Sequence, residues 1–254
     1  MKLKFSVAYL LSFLSLVFVI HELHDWAHVL MGQWVCGCWG TKAFDSWTMC
    51  DHSDVSGNII AFIWMAGPLV SYILMWVAYS ILNSRKSTAS RSMGFSLLFA
   101  TLPFGRILAV VGGKSDETNM MREFFQRPDG SNHQFVVVSA IVLVLLLTLP
   151  PIIKAFSLTS SIKEKMMLIP VLLIFPVVVD YVVVNLGMNK ILSDDIMQEE
   201  SLPGTPFLVL LWGIFWIIFF MLTYNNLIKL FKKSEHRRRK SKSASSVSQE
   251  EYMP

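Results

Sequence analysis

The sequence predicts an all-α fold, a polytopic membrane bundle of about six transmembrane helices, and three observations carry that expectation. Hydrophobic residues make up 54% of the chain and charged residues only 16%, which is more apolar surface than a water-soluble domain of this size can bury. The apolar residues fall in runs of roughly 20, the length that crosses about 30 Å of hydrocarbon. Those runs, at roughly 5–31, 58–82, 93–112, 134–156, 166–188 and 206–231, use up most of the chain. Any activity therefore sits within the bundle or in its short loops.

Charge at the span ends orients the bundle. Lys2 and Lys4 precede the first span, Arg85, Lys86 and Arg91 follow the second, and Lys154, Lys163 and Lys165 follow the fourth. Basic residues from Lys229 to Lys242 follow the sixth. The alternate connections carry acids instead: Asp45, Asp51 and Asp54; Asp116, Glu117, Glu123 and Asp129; Asp194, Asp195, Glu199 and Glu200. Positive-inside bias then predicts a multi-pass protein of a cell inner or plasma membrane with both termini cytoplasmic. The start MKLK reads like a signal peptide, but no small-residue cleavage site follows and the apolar run continues to Met31, so a retained anchor is expected. The formal charge of +4 is spread over span ends and tail, which points to the lipid bilayer as partner and not to nucleic acid.

Residues 1–232 read as the bundle with short loops, and 233–254 as a basic, Ser-rich cytoplasmic tail with no apolar periodicity, predicted to be disordered. Its HRRRKSK run reads either as a stop-transfer anchor or as an attraction to anionic headgroups. Within the spans, Pro150, Pro151, Pro170 and Pro176 predict kinks or breaks in the fourth and fifth, because proline lacks the helical donor and crowds the preceding turn.

The chemistry concentrates in VIHELHDWAHVLMG, where polar residues interrupt the second half of the first span. At about 100° per residue, His21, His24, Asp25 and His28 share one face, with Glu22 beside the histidine stripe. Histidines four apart on a helix can hold one zinc ion, and an acid directly after the first can take a proton from a metal-activated water. His24-Asp25-Trp26-Ala27-His28 has that layout, with Asp25 as base and His21 a further ligand on the same face. A second register starts at His21-Glu22, making Glu22 the base and placing Asp25 where the second histidine would stand. A hydrogen-bonded network between helices is the alternative to a metal. Such a site needs another ligand from elsewhere. The Gly112-Gly113 turn that ends the third run delivers Asp116 and Glu117, which makes Asp116 the first candidate, with Asp129 and His133 behind it.

These pieces together resemble the site-2-protease-like intramembrane zinc metalloproteases. HDWAHVLMG is similar to their HExxH helix, with Asp where the family has Glu; IAFIWMAGPLVSYIL is similar to their second motif helix, with its Ala-Gly-Pro step and the polar Ser71; GRILAVVGGKSDE corresponds loosely to the segment giving a third, aspartate ligand. The resemblance covers roughly residues 15–120. It implies Zn2+ as cofactor, His24, His28 and Asp116 as ligands, Asp25 or Glu22 as general base, and a membrane protein or peptide as substrate. Gly67 and Pro68 would loosen the second span or admit another backbone, or simply pack helices through small residues.

Other readings stay open. The chain could be an inactive, metal-holding relative, or a transporter or channel with a pathway through His21, His24, Asp25 and Asp180, the last in an apolar stretch followed by Asn185. Histidine-rich di-iron oxygenases need more than the six histidines present. The loop after the first span holds Cys36, Cys38 and Cys50, which allows one disulfide, for instance Cys38 to Cys50, or a structural zinc site with His52. Trp34, Trp39 and Trp47 suit a membrane interface.

Overall fold

A computed structural model describes residues 2–3, 5–44, 46–49, 55–83, 87–125, 133–159, 161–193 and 199–232. Among them, six helical stretches are long and apolar enough to cross a membrane: Val7–Cys36, Gly57–Asn83, Thr88–Val111, His133–Leu158, Ile162–Leu192 and Phe207–Lys229. The all-α membrane bundle expected from the sequence is the fold. The tail at 233–254, and with it the loop residues Asp45, Cys50, His52 and Asp129, lies outside the described residues.

Helix α1 (Val7–Cys36) starts where the Ser6 side chain accepts from the Tyr9 N–H and stops at Gly37, whose φ of 71° suits a residue without Cβ. A small hairpin follows, β2 (Thr41–Lys42) with β3 (Trp47–Thr48), and then α2 (Gly57–Asn83), which keeps Pro68 inside it. Helix α2 packs against α1, α3 (Thr88–Ala100), α5 (Asp116–Phe124) and α6 (His133–Leu158). The core between these helices is built from Tyr9, Phe13, Met75, Phe95 and Phe99, all essentially inaccessible.

The third span is two helices and not the single one expected. α3 stops at Ala100, Leu102 takes a left-handed φ of 49°, and α4 (Pro103–Val111) restarts on Pro103. Pro103 has no N–H to continue α3 and a φ already suited to a first helical turn, so it ends one helix and begins the next. Gly112 and Gly113, the latter at φ 68°, then turn the chain into Ser115, whose hydroxyl caps α5. Asp116 is thus the first residue of a helix, where a carboxylate is favoured by the unpaired N–H groups.

The prolines act unevenly. α6 keeps a helical path through Pro150 and Pro151, so the fourth span is not broken there; the two prolines withhold donors from the Leu146 and Leu147 carbonyls alone. In the fifth span Pro170 and Pro176 open a π-helical stretch, Ile169–Ile174, and α8 (Phe175–Asp180), between α7 (Ile162–Leu168) and a second π-helical stretch, Tyr181–Met188. A short helix α9 (Asn189–Ser193) and a hairpin of β4 (Glu200–Leu202) with β5 (Thr205–Pro206) lead into α10 (Phe207–Thr223). α10 packs against α1. The first and last described segments, β1 (Lys2–Leu3) and β6 (Phe231–Lys232), pair antiparallel.

Candidate metal centre

Three of the four ligands named from the sequence converge. His24 Nε2 lies 3.0 Å from Asp116 Oδ2 and 3.2 Å from His28 Nε2, and His28 Nε2 lies 3.4 Å from Asp116 Oδ2. A tetrahedral zinc ion with bonds of about 2.0–2.1 Å holds its ligand atoms about 3.3 Å apart. The three distances are therefore three edges of such a site, and the group could hold a metal ion.

The protonation of His28 supports this. Its Nδ1 is 2.7 Å from the Ile63 carbonyl, which can only accept, so Nδ1 carries the proton. That leaves a lone pair on Nε2 of the neutral ring, facing a carboxylate oxygen. Without an ion the hydrogen nearest that lone pair is the N–H on His24 Nε2, 3.2 Å away; a metal ion placed here would take the lone pair instead. The Ile63 carbonyl fixes the ring as outer partners of metal-ligating histidines usually do. Pro68, five residues on, has no N–H for the Trp64 carbonyl and loosens this turn of α2.

His24 Nδ1 sits 3.1 Å from Ser71 Oγ and 2.8 Å from a guanidinium nitrogen of Arg106. Arg106 can only donate, so in this arrangement the His24 proton is on Nε2, toward Asp116. With a metal on Nε2 the neutral ring would carry its proton on Nδ1, where Ser71 Oγ would accept it in place of the contact with the Arg106 donor. Ser71→Ala is accordingly expected to weaken metal binding about 10- to 100-fold with little effect on folding, read by titrating metal into the purified variant.

Asp116 lies just beyond the third span. Burial pushes its carboxyl up, but the histidine pair beside it, above all the hydrogen bond from His24, outweighs this and holds it well below the usual carboxylate range. It is ionised, as a ligand must be, at neutral pH. Two further residues shape the position. A Cβ on Gly67 would overlap His28 Nε2 and lie 2.6 Å from His28 Cδ2 and 2.7 Å from His24 Nε2, so the absent side chain is the space in which the two imidazoles meet. On the other face of His28, Trp47 stacks at 4.3 Å and leans on Trp64, which covers the ring.

His21, Glu22 and Asp25 stand apart from this trio. The hairpin inserts Lys42, with its ammonium wholly buried, between the two carboxylates: Nζ is 3.0 Å from Glu22 Oε2 and 3.7 Å from Asp25 Oδ2. His21 Nε2 is 3.7 Å from the same Asp25 oxygen, and that oxygen has no hydrogen-bond partner. Asp25, expected to share the histidine face, is drawn to Lys42 and His21. His21 instead lines a cavity of about 250 Å³ together with His24, Asp116, Arg106 and Lys114. The break at Thr101–Leu102 forms part of the same wall.

The rest of the expected groups fall elsewhere. Cys38 is disulfide-bonded and Cys36 is a free thiol, which removes Cys38 from a second zinc site. Asp180 closes α8 in the fifth span. Lys42 and Arg106 were not singled out from the sequence. A lysine in a short loop carries no signal, whereas an arginine within an apolar run is itself a mark of a polar interior. No family model matches the chain, and no curated protein or solved structure matches it.

Proposed function

We propose that the protein is an intramembrane zinc metallopeptidase that hydrolyses peptide bonds of membrane-associated substrates. The observation that supports this reading is the set of three donor atoms at tetrahedral edge lengths beside a cavity. Two imidazoles and a carboxylate make a donor set suited to zinc, and three protein ligands leave a position for chemistry. The broken third span fits as well, since irregular backbone at membrane depth is tolerated where it lines a cavity. When bound, zinc supplies a Lewis acid that lowers the pKa of water and polarises a carbonyl.

The chain's own residues do the remainder. His24, His28 and Asp116 hold the ion, Gly67 leaves it room, and Trp47 keeps water from His28. Glu22 and Asp25 are engaged with Lys42, so the proton passes through His21 on the cavity wall, 3.7 Å from the Asp25 carboxylate. Water oxygen bonds to the carbonyl carbon, and a water proton moves to His21. The C–N bond then breaks with its electron pair on nitrogen, which takes that proton.

Purified protein is expected to carry about one zinc per chain, as two imidazoles and a carboxylate define a single site. The His24→Ala/His28→Ala variant should lose both the zinc and cleavage of a dye-labelled transmembrane peptide. Wild-type protein that is free of metal and moves ions across liposomes would overturn the reading in favour of a transporter.

A further inference from the structure

Arg106 enters the site from α4 with its guanidinium on the cavity wall. A cation at this depth is costly to hold, and the neighbouring side chains are arranged around it. Glu117 Oε1 accepts from Nη1 at 3.0 Å, and Ser71 Oγ accepts from Nη2 at 2.7 Å. The guanidinium carbon lies 5.4 Å from the centre of the Tyr72 ring, and the Tyr72 hydroxyl donates to the same Glu117 oxygen at 2.7 Å. Glu117 is almost wholly buried. As a device for stability alone such a pair is poor, because apolar residues of the same size usually do as well. Here it stands beside His24, at the cavity.

The donor inventory is also unspent. Glu117, Ser71 and His24 each take one N–H of Arg106, and Nε has no partner; a metal on His24 Nε2 would put a proton on Nδ1 and free the N–H that His24 takes. Around the wall, Asp116 and Glu117 face Arg106 and Lys114, so a divalent ion leaves the wall positive. A positive, partly dry wall beside a Lewis acid suits an oxygen on which negative charge gathers.

We propose that Arg106 is a catalytic residue that receives the carbonyl oxygen of the scissile group, an inference that rests on the zinc peptidase reading above. As water oxygen bonds to the carbonyl carbon, the C=O π pair moves onto oxygen and an Arg106 N–H donates to it. The pair returns as the C–N bond breaks, and nitrogen leaves with the bonding pair and the proton taken from water. Glu117, Ser71 and Tyr72 are positioning residues for the guanidinium. The substrate class at this cavity is one that presents an oxygen of neutral or negative charge, and cationic groups are repelled.

The test uses the full chain in detergent, loaded with cobalt(II), with inorganic phosphate as oxyanion probe and the visible absorption of the ion as readout. Arg106→Leu should keep its cobalt and bind phosphate roughly 10- to 100-fold more weakly, the loss expected of a charged hydrogen bond. Because that change strands Glu117, Arg106→Leu/Glu117→Leu is made alongside and should show the same loss. Glu117→Gln, which releases Arg106 from its partner, should bind phosphate more tightly, whereas a merely structural pair would give weaker binding. Cobalt retained with phosphate affinity unchanged in both Arg106 variants would overturn the role of Arg106 and leave the metal centre standing. Wild-type protein that takes up no cobalt would overturn the metal reading and this inference with it.

Discussion

Gly67→Ala is expected to abolish metal binding, by roughly 100-fold or more, in a protein that still assembles its bundle. Both histidine ligands point their Nε2 atoms at the face of α2 where that Cβ would stand. Neither can turn away freely: His28 is held by the Ile63 carbonyl and the Trp47 ring, and His24 by Ser71 and Arg106. The methyl group must therefore push α1 from α2 or displace the ligand atoms by an ångström or so, and outer-partner losses that do far less already cost about 10- to 100-fold. Gly32→Ala is the control, because the nearest atom to its Cβ is Ile63 Cγ2 at 3.9 Å, an ordinary contact. Zinc content after purification and thermal melting separate the two. If Gly67→Ala retained full zinc, the position of the ion between His24 and His28 would be wrong.

The second large effect is on stability. Lys42→Met should destabilise the protein by about 3–5 kcal/mol, the usual cost of leaving buried charges without their partner. The ammonium is wholly buried and sits between Glu22 and Asp25, themselves nearly inaccessible, with the Ala43 carbonyl as a further acceptor. A fall in melting temperature on the order of 10 °C is expected. Lys42→Met/Glu22→Gln/Asp25→Asn removes all three charges together and should recover much of the loss. A single variant that melts with wild type would show that the carboxylates reach water by another route.

The sequence made the spans legible because a bilayer imposes a length on every apolar run. It did not make legible the gap in the third span, although Pro103 carries the signal, since the apolar run resumes on the far side of Pro103 and the whole is still long enough to read as one crossing. The i, i+4 pair of His24 and His28 and the Gly-Gly turn before Asp116 were readable because both are local geometry. The environment of Asp25 was not. Its place on a helical wheel is next to the histidines, and only the folded-back hairpin with Lys42 decides which way the carboxylate turns. Arg106 and Gly67 are of the same kind: each acquires its meaning from α1, a helix far away in sequence.

The hairpin has a consequence for the order in which the chain can be assembled. Lys42 follows α1 directly, so the carboxylates of Glu22 and Asp25 meet their counter-charge as soon as the first loop has been made. Asp116 comes 92 residues after His24, with three further helices, α2, α3 and α4, in between. The acids of the first span are thus neutralised early and locally, while the histidines wait for a ligand synthesised much later. A nascent chain inserted this way carries its most costly charges into the bilayer already paired, and it brings Asp116 to His24 and His28 only after the third span and the turn beyond it have emerged.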